Sequence, residues 1–170
     1  MLEPGGLMGG GKDAKNLLVR PWPPEAKSVW LSLQARYESQ YEQAGLLVYH
    51  DDDHYVKLVM EFVDGQTWIV FITEKNTEDQ LIAKVPATTP PRLLGLEEKD
   101  DTLTAKVLWD ANADFTDVGT CAFDLSPRPR IGLFAQSGQA GAERWVTFHA
   151  FALWRLPLAE ALAQGTITSP

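Results

Sequence analysis

Residues 54–62, His-Tyr-Val-Lys-Leu-Val-Met-Glu-Phe, constrain the fold most. Val56, Leu58, Met60 and Phe62 share one parity, and Tyr55, Lys57, Val59 and Glu61 the other. In an extended chain successive side chains point to opposite faces, so this rhythm specifies a strand with a greasy side and a mixed aromatic and charged side. Asp64-Gly65 follows, a pair suited to the left-handed positions of a tight hairpin. Residues 67–73 then read as the strand that pairs back.

The same style recurs along the chain. Residues 29–37 alternate, with Val29, Leu31, Leu33, Ala35 and Tyr37 on one side and Trp30, Ser32, Gln34 and Arg36 on the other. Residues 44–49 form another strand, closed by the polar run His50-Asp51-Asp52-Asp53. Further strands are expected at 81–85, 92–98, 102–109, 130–136 and 145–154. Turns fall at Thr88-Thr89-Pro90-Pro91 and Lys99-Asp100-Asp101, and loops at 110–117 and 137–143. Residues 157–164 are the one good helix candidate, with Pro157 in the first turn and Gly165 just past the end. Short strands with frequent turn signals specify an all-β, two-sheet antiparallel β-sandwich with a short C-terminal helix.

Composition bounds the function. A chain of 170 residues suits one domain, here 16–170 behind a Gly-rich leader at 1–15 expected to be flexible. With 45% hydrophobic and 22% charged residues it carries its own core without metal or disulfide staples. The net charge of −8 repels nucleic acid, and the densest basic stretch is only Arg128-Pro129-Arg130. A single cysteine, Cys121, rules out an internal disulfide, and with three histidines it makes no Cys/His zinc set. A buried, inert thiol is the expectation. No run of about 18 apolar residues or signal-peptide core occurs, so no membrane partner is expected, and the location is cytoplasmic if the chain is whole.

No cofactor is expected. Calcium needs several oxygen ligands at once. The weak candidates are Asp51 and Asp53 in one acidic turn and Asp110, Asn112 and Asp114 in another; neither has EF-hand spacing, and solvated turns are the plainer expectation.

The segment Gln43-Ala44-Gly45-Leu46-Leu47-Val48-Tyr49, followed by Asp51-Asp52-Asp53-His54-Tyr55-Val56-Lys57-Leu58, resembles the DUF1349-type concanavalin A-like jelly roll. It is similar also to the C-terminal sandwich of family 43 glycoside hydrolases. Pro129-Arg130-Ile131-Gly132-Leu133-Phe134-Ala135 stands where those domains carry an Ile-Gly-Leu strand, and Val146-Thr147-Phe148-His149-Ala150-Phe151 where they close. The chain departs at Trp109-Asp110-Ala111-Asn112-Ala113-Asp114-Phe115, where relatives often have a Ser-x-Asp-Gly-x-x-Trp hairpin, and at His149-Ala150, where an acidic residue is common. The resemblance implies a concanavalin A-like jelly roll with one concave face that serves as an accessory or sugar-facing surface.

Candidate ligand residues follow from the alternation. Tyr55, Lys57 and Glu61 project away from the greasy side, and in one hairpin register Gln43 and Tyr49 join them. A ring to pack on pyranose C–H groups, with amide, ammonium and carboxylate to orient hydroxyls, suits a carbohydrate ligand. A merely wet face with an exposed Lys–Glu pair is the plainer alternative. Among six tryptophans, Trp30 on the polar side of its strand is the best exposed platform, and Trp22 between prolines is a second. The first reading is therefore a non-catalytic carbohydrate-binding or accessory module. A second is a glycan-active enzyme pairing Glu61 with His54 or Asp114, although the one-strand Glu-x-Asp-x-Glu run of jelly-roll glycosidases is absent. A third is a protein-interaction module.

Overall fold

The computed structural model describes residues 16–139 and 141–165. Eleven strands form two antiparallel sheets. The first sheet runs β1 (Leu17–Pro21), β10 (Arg130–Gln136), β3 (Gln43–Asp51), β4 (His54–Val63), β5 (Gln66–Lys75) and β6 (Glu78–Pro86). The second runs β11 (Val146–Trp154), β2 (Ser28–Ala35), β7 (Leu93–Lys99), β8 (Thr102–Leu108) and β9 (Thr116–Ala122). One helix, α1 (Leu158–Ala163), closes the described chain. This is the all-β, two-sheet antiparallel sandwich with a short C-terminal helix expected from the alternation and turn signals.

Two-residue turns set the registers. Asp64 and Gly65 both have positive φ, as do Asn76 with Thr77 and Asp100 with Asp101. Such turns match the right-handed twist of the strands they join. The result in the β4–β5 hairpin is an uninterrupted ladder from His54 opposite Lys75 to Val63 opposite Gln66.

The greasy side of β4 meets the second sheet. Val56, Leu58 and Met60 pack with Leu46 and Val48 of β3 and Ile69 and Phe71 of β5. Facing them are Val29 and Leu31 of β2, Leu94 and Leu96 of β7, and Leu103 and Val107 of β8. Cys121 joins this core, and burial pushes its thiol up to about 11, which keeps it protonated and inert.

Both outer faces also carry apolar clusters, which a simple core-in, water-out pattern does not anticipate. Behind the second sheet, α1 seats Leu158 and Ala161 on Trp30, Leu93 and Leu108. Gly95 makes room for it, since a Cβ there would overlap Leu158 Cδ1. Glu97 Oε2 accepts a hydrogen bond from Leu158 N at 2.9 Å, placing a carboxylate on the free N–H groups that begin the helix.

Two strands escaped the sequence reading. β1 was not anticipated, and β9 falls partly in the expected 110–117 loop. β9 is an edge strand reading Thr-Asp-Val-Gly-Thr-Cys-Ala, with one strongly apolar residue to mark a face. The tryptophan expectations also need correcting. Trp22 is buried, its Nε1 donating to Ala26 O at 3.0 Å. Trp30 is only 5% exposed, because α1 covers the very side of β2 that looked polar.

Candidate functional site

The outer face of the six-stranded sheet is a grid of side chains with one parity. Cross-strand register gives its rows. At one end lies Gln136–Gln43–Glu61–Trp68, and at the other Arg130–Tyr49–Tyr55–Glu74–Asp79. Between them run Phe134–Gly45–Val59–Val70–Lys84 and Gly132–Leu47–Lys57–Ile72.

Two glycines shape this surface. A Cβ on Gly45 would overlap Leu58 O and lie 2.7 Å from Val59 Cα. One on Gly132 would overlap Leu18 O and lie 2.7 Å from Val19 Cα. The neighbouring strands approach too closely for any side chain there, and both glycines lie buried among Leu47, Val59 and Phe134. Lys57 lies over them, its Nζ 5.8 Å from the Phe134 ring centroid.

Lys57, Gln43 and Glu61 form one relay. Lys57 Nζ donates to Gln43 Oε1 at 2.9 Å, and Gln43 Nε2 donates to Glu61 Oε1 at 3.2 Å. The amide thus ties an ammonium to a carboxylate that does not touch it. Lys57 is 8% exposed, and burial pulls its amine below the usual lysine range, against the pull of Glu61, Asp79 and Glu74. Burial raises the Glu61 carboxyl, opposed by Lys57 and Lys84. Glu61 is half-buried and lies beside Trp68, whose ring carries Lys84 Nζ at 4.5 Å.

Tyr55 belongs to a second group. Its hydroxyl donates to Glu74 Oε2 at 2.5 Å. Burial first, and the hydrogen-bonded Asp79 carboxyl second, push Glu74 up to about 7, although the Tyr55 hydroxyl favours its anion. Burial and Glu74 raise the Tyr55 phenol further still. Tyr49 donates to Asp52 Oδ1 at 2.5 Å and lies under Arg130, 4.6 Å from its ring. Burial, then Asp52, raises the Tyr49 hydroxyl to about 12.

The structure therefore gathers Gln43, Tyr55, Lys57 and Glu61 on one face, with Tyr49 opposite Tyr55 as the register required. It does not bring Trp30 to them; that indole lies on the far side of the other sheet. Nor does it assemble the catalytic pairs considered from sequence. His54 packs on His50 and Phe123, with ring centroids 4.8 and 4.9 Å away, on the side opposite Glu61. Burial lowers its pKa, with His50 as the second cause. Asp114 lies in the β8–β9 loop of the second sheet.

The acidic turns serve the backbone. Asp51 Oδ1 accepts from Asp53 N at 3.0 Å, and Asp110 Oδ1 accepts from Asn112 N at 2.9 Å. Among the described residues, no three His, Cys, Asp or Glu side chains are grouped to hold a metal ion. The calcium candidates Asp51, Asp53, Asp110, Asn112 and Asp114 are not brought into such a set. Sequence reasoning missed Glu74, Trp68, Lys84 and Gln136 on this face. All four share the face's parity once the hairpin registers are known, and only the register reveals it.

The family model for DUF1349, described as a protein of unknown function, matches residues 10–155. The chain belongs to the DUF1349 family. Solved structures agree on the fold of this DUF1349 domain. A family 43 glycoside hydrolase protein, BlXynB from Bacillus licheniformis, superposes with a TM-score of 0.75 at 18% identity, covering 84% of this chain and 30% of its own. A xylan beta-1,4-xylosidase from Bacillus halodurans C-125 gives 0.69 at 18%, covering 81% and 29%. A functionally unknown protein from Saccharomyces cerevisiae gives 0.69 at 24%, covering 84% and 74%. The domain thus spans less than a third of those two family 43 chains. No curated protein matches the sequence significantly. Among the described residues no helix is long and apolar enough to cross a membrane.

Proposed function

We propose that this DUF1349 domain is a non-catalytic carbohydrate-binding or accessory module whose ligand meets the outer face of the six-stranded sheet at its Glu61–Trp68 end. What carries the reading is the relay itself. Lys57 and Glu61 are oriented through Gln43 before any ligand arrives, so the Glu61 carboxylate waits half-exposed beside an indole. Preorganised polar groups beside an aromatic ring are how sugar hydroxyls and C–H faces are read together. The similarity to a domain of glycoside hydrolase chains agrees with a glycan ligand.

Spacing favours binding over hydrolysis. Glycosidases place two carboxyl groups about 5–9.5 Å apart across the scissile bond. Glu61 and Tyr55, the residue opposite Glu74, are six positions apart on β4, roughly 20 Å along a strand. Glu74 and Asp79 face each other directly across the β5–β6 ladder, and the Glu74 carboxyl is already engaged by the Tyr55 hydroxyl.

Affinity electrophoresis in gels containing xylan, β-glucan or galactan, run with an assay for released reducing ends, tests this. Retardation by at least one polysaccharide without product is expected, weakened by Glu61→Gln. Product release abolished by Glu61→Gln would replace the reading with the enzyme. Unretarded migration in all three gels would replace it with a protein-interaction module.

A further inference from the structure

The two lateral edges of the sandwich differ. On one side β6 and β9 close on each other, so tightly that a Cβ on Gly119 would meet Ile82 Cγ2 at 3.0 Å. On the other side, a groove of about 650 Å³ opens between β1–β10 and the start of β11. Leu18, Leu133, Val146 and Phe148 line it, with Trp145 and Gln136 among its other walls.

Large apolar side chains are seldom left in water together without a purpose. Four are exposed among the described residues, and two of them, Trp145 at 89% and Leu18 at 71%, line this one groove. The residue before Trp145 is anchored. Arg144 Nε donates to Glu42 Oε1 at 2.5 Å, and its Nη2 donates to Ser39 Oγ at 3.3 Å. Burial works against ionising Glu42, but the Glu38 and Ser39 N–H groups and Arg144 prevail and hold it below the usual carboxylate range. Arg144 thus ties the segment that carries the indole to the β2–β3 connection, which lowers the ordering cost of stacking on it.

Gln136 connects the groove to the face described above. It lines the groove and stands opposite Gln43 in the ladder. Its Oε1 is shut from solvent and has no hydrogen-bond partner among the described residues. An acceptor left so is costly, and rotation of the amide toward an incoming hydroxyl removes the deficit. From Gln136 the row passes through Gln43 and Glu61 to Trp68, three strand spacings or roughly 14 Å.

We propose that this groove is a second subsite of the same binding surface. In this arrangement an extended glycan chain lies from Trp68 along Glu61, passes over the enclosed Gln43 to Gln136, and places a further sugar on Trp145. The proposal rests on the glycan-binding reading and deepens it, since it makes the ligand an oligosaccharide rather than a single sugar. Trp145 is the platform that Trp30 was expected to be.

Calorimetric titration with xylohexaose, cellohexaose and galactohexaose, each against its monosaccharide, tests the proposal. At least one hexasaccharide is expected to bind tenfold or more tightly than its monosaccharide. Trp145→Ala removes that gain and Trp145→Phe restores part of it. Because Trp145 is exposed, the melting temperature of both variants stays that of the parent. If Glu61→Gln weakens binding while Trp145→Ala binds like the parent, the groove is no subsite and the sheet-face reading survives. If no hexasaccharide binds, both fall.

Discussion

The two outer faces of the sandwich start from the same alternation and end differently. On the five-stranded sheet, Trp30 looks outward and is sealed by α1, an element far away in sequence. On the six-stranded sheet, Tyr55, Lys57 and Gln43 look outward and are enclosed largely by their own neighbours, which spend their polar groups on one another. The first face is a second small core. The second is a polar network with a margin where Glu61 and Trp68 are half-exposed and Lys84 is exposed. Alternation tells which side of a strand a residue takes; it is silent on what covers that side.

The largest effect expected from breaking this contrast is at Gly45. Any Cβ there strikes the backbone of β4, which cannot move aside, so Gly45→Ala should cost about 3 kcal/mol or more in denaturant unfolding. The corresponding change on the other face, Gly95→Ala, meets the tip of Leu158, which α1 can shift, and should cost clearly less. Equal losses would contradict a rigid face set against an adjustable one.

Leu158→Ala comes next. It opens a cavity over Trp30, and a loss of roughly 2–4 kcal/mol is expected, with a red-shifted tryptophan emission as water reaches the indole. A stability within about 0.5 kcal/mol of the parent would show that α1 is not the seal.

In the polar network, removing the bridge should cost more than removing the charge it serves. Gln43→Leu leaves Lys57 and Glu61 without their amide and should lose about 2 kcal/mol. Lys57→Met replaces a desolvated amine with an apolar chain of similar length and should lie within about 1 kcal/mol of the parent. The reverse ranking, measured by the same unfolding curves, would show that Lys57 rather than Gln43 holds the face together.

The smallest effect is pH-dependent. Glu74 binds its proton more tightly when folded, near 7 against an ordinary 4.5. Its contribution is fully present below about pH 4.5 and is lost as pH rises through 7. Glu74→Gln should flatten the fall in stability between pH 5 and 8; an unchanged slope would place the titration elsewhere.

The β4 strand, its facing partners and the hairpin at Asp64-Gly65 were legible in the sequence because local periodicity and turn chemistry decide them. The pairing of Gln43 with Glu61 needed a register that residues 51–54 fix through a bulge between Tyr49 and Asp51. Trp30 was misjudged because its cover, Leu158, lies 128 positions away. Glu74 and Trp68 were overlooked because β5 is apolar along Ile69–Val70–Phe71–Ile72 and shows no clear alternation. Trp145, the most exposed large apolar side chain among the described residues, adjoins a polar loop, where nothing local separates a buried from an exposed indole.

Mapping backbone amide shifts by NMR during titration with the tightest-binding oligosaccharide addresses the central claim most directly. The shifts should concentrate on Gln43, Glu61, Trp68, Lys84 and Gln136, leaving α1 and the outer side of β2 unmoved. Shifts confined to Trp30, Leu158 and their neighbours, or none at saturating sugar, would contradict a ligand face on the six-stranded sheet.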